Sequence, residues 1–140
     1  MKILLAVDGS DCTRRMLAYL AAHEELLGTR AEYVAVTALP AVPAYAAKHL
    51  DHQIMDEYYR DEAELVFRPI RAFAAQQPWQ IRFIDRTGDA ATVIAAVAEA
   101  EKPDQIVMGS HGRTALRNVL LGSVVTGVLA RTKIPVLLIH

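Results

Sequence analysis

The sequence predicts an α/β fold, a three-layer α/β/α sandwich around a five-stranded parallel sheet, and three observations carry that prediction. Short aliphatic or β-branched runs alternate with longer helical patterns along the whole chain, as in parallel sheets covered by helices. The first run, Ile3 to Val7, is unbroken and apolar, as expected of a strand buried on both faces. Turn residues follow these runs, and right-handed crossovers between parallel strands then place helices on both faces of one twisted sheet.

The elements follow in order. After the strand Ile3 to Val7, Asp8-Gly9-Ser10 stops the chain, and Ser10 or Asp11 can cap a helix. Met16, Leu20, His23 and Leu27 recur on one side of that helix before Gly28 closes it. The second strand is Glu32 to Thr37, ended by Ala38-Leu39-Pro40. A helical pattern then begins near Pro43 and runs from about Tyr45 to Gln77. Pro69 lacks an amide donor and biases Arg68 away from helical angles, which predicts a kink or break and two helical segments. Beyond it, Ile70, Phe73, Ala74 and Gln77 form a one-sided stripe, and Pro78 precedes the third strand, Trp79 to Asp85. Thr87-Gly88-Asp89 opens a helix with Val93, Ile94, Val97 and Ala98 inward and Pro103 past its end. The fourth strand, Gln105 to Met108, feeds a glycine-bearing loop, then a helix from about Ser123 to Arg131, then the strand Ile134 to Ile139.

Composition bounds the function. The 140 residues suit one domain, residues 1–140, without separate cofactor and substrate lobes. Hydrophobic residues at 53% and charged residues at 22% are far from a disordered composition. Fifteen Lys and Arg against sixteen Asp and Glu leave a net charge of −1, so no global field draws the chain to nucleic acid or an anionic membrane. One cysteine, Cys12, allows no intramolecular disulfide or Cys-rich metal cage, and the start lacks the apolar stretch of a secretory signal, which points to the cytoplasm. The longest mostly apolar run, Val119 to Ala130, has only twelve residues, against the ~20 of a membrane span.

In open parallel sheets, ligands bind at the carboxyl ends of the strands where strand order reverses. Three segments lie there: Val7 to Ser10, Thr37 to Pro40, and Gly109 onward. The last carries Gly109-Ser110-His111-Gly112 and then Gly122-Ser123, a Gly-x2-Gly-x9-Gly-Ser spacing. Glycines admit a ligand close to backbone amides, and a helix start offers unpaired N–H groups, so phosphate is the natural guest. Ser123 can cap the helix or donate its hydroxyl, and Arg113 and Arg117 add positive charge. Neither a P-loop nor a dinucleotide Gly-x-Gly-x2-Gly fingerprint occurs. Glycines in a turn before a helix are also common without any ligand, and the spacing gains weight from its place between a buried strand and a helix.

On these residues the chain resembles the ATP-binding branch of the universal stress protein family. The likeness runs from Ile3-Leu4-Leu5-Ala6-Val7-Asp8-Gly9-Ser10, through Asp104 to Arg113 and Leu120 to Val124, to Ile134-Pro135-Val136-Leu137-Leu138-Ile139. It implies an adenine nucleotide alpha hydrolase-like fold with strand order 3-2-1-4-5 and ATP, or ADP or AMP, in the crevice between the first and fourth strands. By the same resemblance Ala6, Val7, Asp8, Gly9 and Ser10 border the adenosine, and Thr37 meets the adenine. Met108 and Gly109 flank the ribose. Gly112, Gly122, Ser123 and Val124 line the phosphate cradle, with His111 and Arg113 beside it. Asp8 can help place a Mg²⁺ ion on the phosphates. Members that hold the triphosphate often carry a second hydroxyl where this chain has Val125, with Thr126 next. Losing a hydrogen bond to a charged group costs about 1.5–3 kcal/mol, so ADP or AMP should compete.

Other residues fit blander roles better. Asp8 lacks the neighbouring acid of a phosphorelay receiver, Asp85 reads as a turn residue, and Gly-x-Ser-x-Gly is not satisfied. His49, His52 and Asp56 share one side of a predicted helix and could ligate a metal, but exposed helical histidines are commoner. Cys12 lies near a helix start, where a thiol can be activated, and an inert thiol is the commoner case. His140 reads as solvated, and Trp79, Tyr45, Tyr58 and Tyr59 read as packing or surface residues.

The last strand is apolar from Pro135 to Ile139, and such edges recruit partner strands. The resemblance implies a homodimer through this strand, in which Pro135 is tolerable. The expected function is therefore a cytoplasmic, dimeric stress-response regulator that binds adenine nucleotide, hydrolyses it slowly if at all, and serves an unknown protein partner. Two alternatives stay open: a nucleotide-independent interaction module, and an enzyme such as a slow ATPase or ATP-dependent transferase.

Overall fold

A computed structural model of the chain describes residues 1–27, 30–113 and 120–140. Gly28 and Arg117, given roles from the sequence, lie outside the described residues.

The elements are β1 (Lys2–Ala6), α1 (Asp11–Ala22), α2 (Glu24–Leu27), β2 (Glu32–Leu39), α3 (Ala44–Ala47), α4 (His52–Ala74), β3 (Gln80–Thr87), α5 (Ala90–Glu101), β4 (Gln105–Gly109), α6 (Ser123–Leu129) and β5 (Val136–Ile139). All strand pairs are parallel, and the sheet order is β3-β2-β1-β4-β5, as expected. β1 lies centrally between β2 and β4 because its side chains are wanted on both faces: Ile3, Leu4 and Leu5 are each fully buried. Alternation sends Ile3 and Leu5 to the face covered by α1 and α4, with Met16, Leu20, Phe67 and Ile70. Leu4 goes to the opposite face, with Ile94 and Val97 of α5 and Val125 and Val128 of α6.

Two helical expectations need correction. The break in the long helical pattern is not at Pro69: α4 runs through it from His52 to Ala74, and the chain breaks earlier, between Ala47 and His52. Pro69 removes the amide that would bond the carbonyl of Leu65, but both residues are exposed, so water can serve that carbonyl. Val66, Phe67, Ile70 and Ala74 stay buried on the other side and hold the helix in line. The first helix is interrupted at His23, whose N–H bonds the carbonyl of Leu20 in a tight turn, so the helical pattern divides into α1 and α2.

α5 is capped as read: the Asp89 carboxylate accepts from the Thr92 amide at 3.0 Å and hydroxyl at 2.8 Å, and these bonds hold its carboxyl below the usual carboxylate range. α5 and α6 pack at bare-backbone distance, since a Cβ added to Gly127 would lie 2.5 Å from the Ala91 Cβ. At the amino end of the sheet, Glu101 accepts from Arg82 and Lys2, each at 2.7 Å, and Arg82 also reaches Glu32 at 3.4 Å. The hydrogen bond from Arg82, then that from Lys2, hold the Glu101 carboxyl down at about 2. No helix among the described residues is long and apolar enough to cross a membrane.

Candidate functional site

A cavity of about 530 Å³ opens at the carboxyl end of the sheet, a size within the ~300–1,000 Å³ common for small-molecule sites. It lies where β1 and β4 part toward opposite layers, the place the topology predicts. Ala6, Val7, Asp8, Ser10, Thr37, Met108, Gly109, His111, Gly112, Arg113, Gly122, Ser123 and Val124 all line it. Of the residues that the resemblance places around the nucleotide, Gly9 does not. Gly9 instead sits at φ +76°, the left-handed conformation that turns the chain from β1 into α1.

The turn after β1 is organised by Asp8. Its Oδ1 accepts from the Ser10 amide at 2.9 Å and from the Thr13 hydroxyl at 3.0 Å, and its own amide donates to Thr13 Oγ1 at 3.2 Å. Arg113 Nε donates to the Asp8 carbonyl at 2.9 Å, which ties the glycine loop to this turn. Oδ2 is left beside Gly112, where an added Cβ would stand 3.1 Å from it. Ser10 occupies the N-cap position of α1 but its side chain makes no capping bond, contrary to one use foreseen for it. Its Oγ is buried and makes no hydrogen bond among the described residues, a costly state for a hydroxyl unless a guest satisfies it.

Gly122, not Ser123, is the N-cap of α6, and no side chain caps the helix. The Gly122 amide is already engaged, donating to the Ser110 carbonyl at 2.9 Å. An added Cβ at Gly122 would lie 3.2 Å from that same oxygen. This glycine therefore closes the loop by close approach and does not offer a bare donor, a correction to the cradle read from the motif. Among the described residues the amides of Ser123, Val124 and Val125 have no backbone acceptor, since they precede the first intrahelical bond, from Thr126 to Gly122. Val125 is 1% exposed, so its side chain belongs to the core under α6 and only its backbone concerns the cavity. Gly109 also works by close approach, because a Cβ there would meet the Cys12 Cβ at 2.5 Å.

Behind the loop, buried Ser110 places its Oγ 3.0 Å from His111 Nδ1 and 2.8 Å from His140 Nδ1. One hydroxyl has one proton, so at least one ring must donate from Nδ1. His140, read as solvated, is exposed yet anchored by this bond. His49, His52 and Asp56 do not share a helix face: His49 precedes α4, and among the described residues no three potential ligands gather for a metal. Trp79 donates to Glu24 at 3.0 Å, and the Tyr59 hydroxyl accepts from the Val42 amide at 2.9 Å, both structural roles.

The sequence reading missed the wall from α4, where Glu62 and Val66 line the cavity, and the residues Cys12, Thr13, Ala90 and Ile94. Leu39 and Pro40, within the segment Thr37 to Pro40 named from the sequence, do line it, at the carboxyl end of β2. No signal existed for Glu62, which sits in an ordinary amphipathic pattern and reaches the cavity only because α4 lies across the β1 turn. A Cβ at Gly9 would touch Val66 at 3.8 Å.

Comparison with known proteins gives the family and the fold. A model of the Universal stress protein family matches residues 1–140. A universal stress protein of Thermus aquaticus is 32% identical over 138 residues, covering 99% of this chain and 97% of its own. Among solved structures, the protein MJ0577 superposes with a TM-score of 0.81 at 25% identity, covering 99% of this chain and 94% of that one. Two more share the fold: a universal stress protein in complex with cAMP (TM-score 0.69, 22% identity, 100% and 97% covered) and one from Arabidopsis thaliana with AMP bound (0.70, 15%, 99% and 90%).

Proposed function

Because the chain belongs to the universal stress protein family, we propose that it binds an adenine nucleotide in the cavity at the carboxyl end of the sheet, as a regulatory module and not as a catalyst of rapid turnover. The observation that carries this reading is that residues with donors unpaired among the described residues line one cavity: Ser123, Val124 and Val125 with their first-turn amides, and Ser10 with its orphaned hydroxyl. The AMP- and cAMP-bound relatives support the ligand class. In this reading the phosphates lie on the α6 amides and the Ser123 hydroxyl, and the adenosine lies between Thr37, Asp8 and Met108. A Mg²⁺ ion can use Asp8 Oδ2, the oxygen not committed to the β1 turn. The test is the nucleotide released by heating the purified protein, identified by chromatography and ultraviolet absorbance, with calorimetry on the emptied chain. Released or titratable adenine nucleotide is expected; none by either route overturns the reading. Phosphate release from ATP over hours should stay near the buffer rate.

The proposal extends to a homodimer through β5, serving a protein partner in the cytoplasm. Among the described residues β5 is an edge strand, paired with β4. The Pro135 and Ile139 carbonyls accept from Ile106 and Ser110, so the amides of Val136 and Leu138 point to the free side. Leu137 and Ile139 pack into the α1 and α4 core and are unsuited to a test. Leu138→Pro removes one outward donor, and sedimentation should then report monomer in place of dimer.

A further inference from the structure

We propose that Glu62 is a specificity-determining residue of this cavity, a carboxylate that favours a nucleoside monophosphate over a triphosphate. The inference rests on the nucleotide reading above and deepens it. Glu62 is half-buried on α4, lines the cavity, and makes no hydrogen bond or ion pair among the described residues. Every other acid of α4 either lies away from the cavity or, like Glu64, is spent on a neighbour: Arg71 holds both oxygens of Glu64 at 3.0 and 3.1 Å.

Its position makes the open charge matter. One helical turn on, Val66 sits 3.8 Å from the place of a Gly9 Cβ, and Arg113 Nη2 sits 3.9 Å from that same point. Asp8 Oδ2 in turn lies 3.1 Å from the place of a Gly112 Cβ. Glu62 therefore stands on the α4 wall that packs against the β1 turn, in the cavity that the glycine-loop residues His111, Gly112 and Arg113 also line. The formally charged side chains among the described lining residues are the carboxylates of Asp8 and Glu62 and the guanidinium of Arg113. Asp8 is partly compensated by the Ser10 amide and the Thr13 hydroxyl, whereas Glu62 has no such compensation among the described residues. A carboxylate accepts hydrogen bonds from ribose hydroxyls or an amino group and repels phosphate oxygens. A monophosphate carries about −1.5 to −2 charges, and each further phosphate adds about one more, so the repulsion grows with chain length while the hydroxyl contacts do not.

The experiment is calorimetric titration of AMP and ATP, in EDTA at low salt, into the wild-type chain, Glu62→Gln and Glu57→Gln. Glu57 is exposed on the same helix and does not line the cavity, so it controls for helix charge alone. The wild type should bind AMP more tightly than ATP. Glu62→Gln should tighten ATP by about five-fold while AMP moves less than about two-fold, and added salt should shrink the difference. Glu57→Gln should leave the AMP-to-ATP ratio where it was. An unchanged ratio in Glu62→Gln, the same shift in Glu57→Gln, or tighter wild-type binding of ATP in EDTA overturns the proposal while nucleotide binding stands. If neither nucleotide binds the wild type, the reading beneath it fails and takes this inference with it.

Discussion

The two ends of the sheet are built on opposite terms. At the amino end, groups from β1, β2, β3 and α5 satisfy one another: Lys2 and Arg82 share Glu101, Arg82 reaches Glu32, and the Lys2 amide donates to Asp104 at 2.7 Å. At the carboxyl end, the Ser10 hydroxyl, the Glu62 carboxylate and the first amides of α6 are left without protein partners among the described residues. A chain that can close one end of its sheet could close the other. The contrast teaches that the open end is held open by glycines whose missing Cβ atoms let backbone and side chain meet there, at Gly109, Gly112 and Gly122.

The largest expected effect comes from filling that end. Gly122→Asp pushes a carboxylate against the Ser110 carbonyl, and Gly112→Asp sets one beside Asp8. Either should weaken nucleotide binding by about 100-fold or more in a chain whose circular dichroism is native, because a buried like charge faces the phosphates. Full affinity in both folded variants would erase the distinction between the two ends. Next comes Gly109→Ala, where the new Cβ meets the Cys12 Cβ at 2.5 Å and either β4 or α1 must shift. Overpacking of this kind costs about 1–3 kcal/mol, which urea titration would read as a lower midpoint.

At the amino end the effects should be smaller and should spare the ligand. Glu101→Gln should lower Tm by a few degrees at pH 7 and leave nucleotide affinity unchanged. Glu101 is depressed to about 2 by Arg82 and Lys2, below its ordinary value of 4.5. The stabilisation is therefore present above pH 4.5 and lost as pH falls toward 2. The Tm difference between wild type and Glu101→Gln should close over that window, and a constant gap would deny the ion pairs their role. The smallest change is expected from Asp89→Asn, which keeps a capping oxygen for Thr92 while losing the charge, so its Tm should fall less than that of Glu101→Gln.

Much of this was legible in the sequence because strands buried on both faces leave apolar runs that little else explains. β1, β2 and β4 could be read that way, β3 at the edge shows a mixed pattern instead, and the order 3-2-1-4-5 followed from the family resemblance. The site residues on β1, β4 and the glycine loop follow from the rule that ligands meet strand ends. What could not be read depends on packing between distant elements. Pro69 argues locally for a break, yet the local rule does not know that Leu65 and Pro69 lie on the exposed side of α4 while Val66, Phe67 and Ile70 hold the other side in the core. Gly122 carries the motif, yet nothing in its spacing tells that its amide is spent on Ser110. Glu62 is the plainest case, since one acid in a run of acids on α4 becomes a cavity residue only through the crossing of that helix over Gly9.

The contact of Gly127 with Ala91 has a bearing on how the cavity can change. With only a hydrogen at position 127, α6 is seated against Ala91 of α5 closer than any side chain there would allow, so that wall has little room to retreat toward α5. The opposite wall, α4, meets the β1 turn at ordinary contact distance. Descendants or designed variants that accommodate a bulkier guest should therefore accumulate their substitutions on α4 and spare the α5–α6 seam.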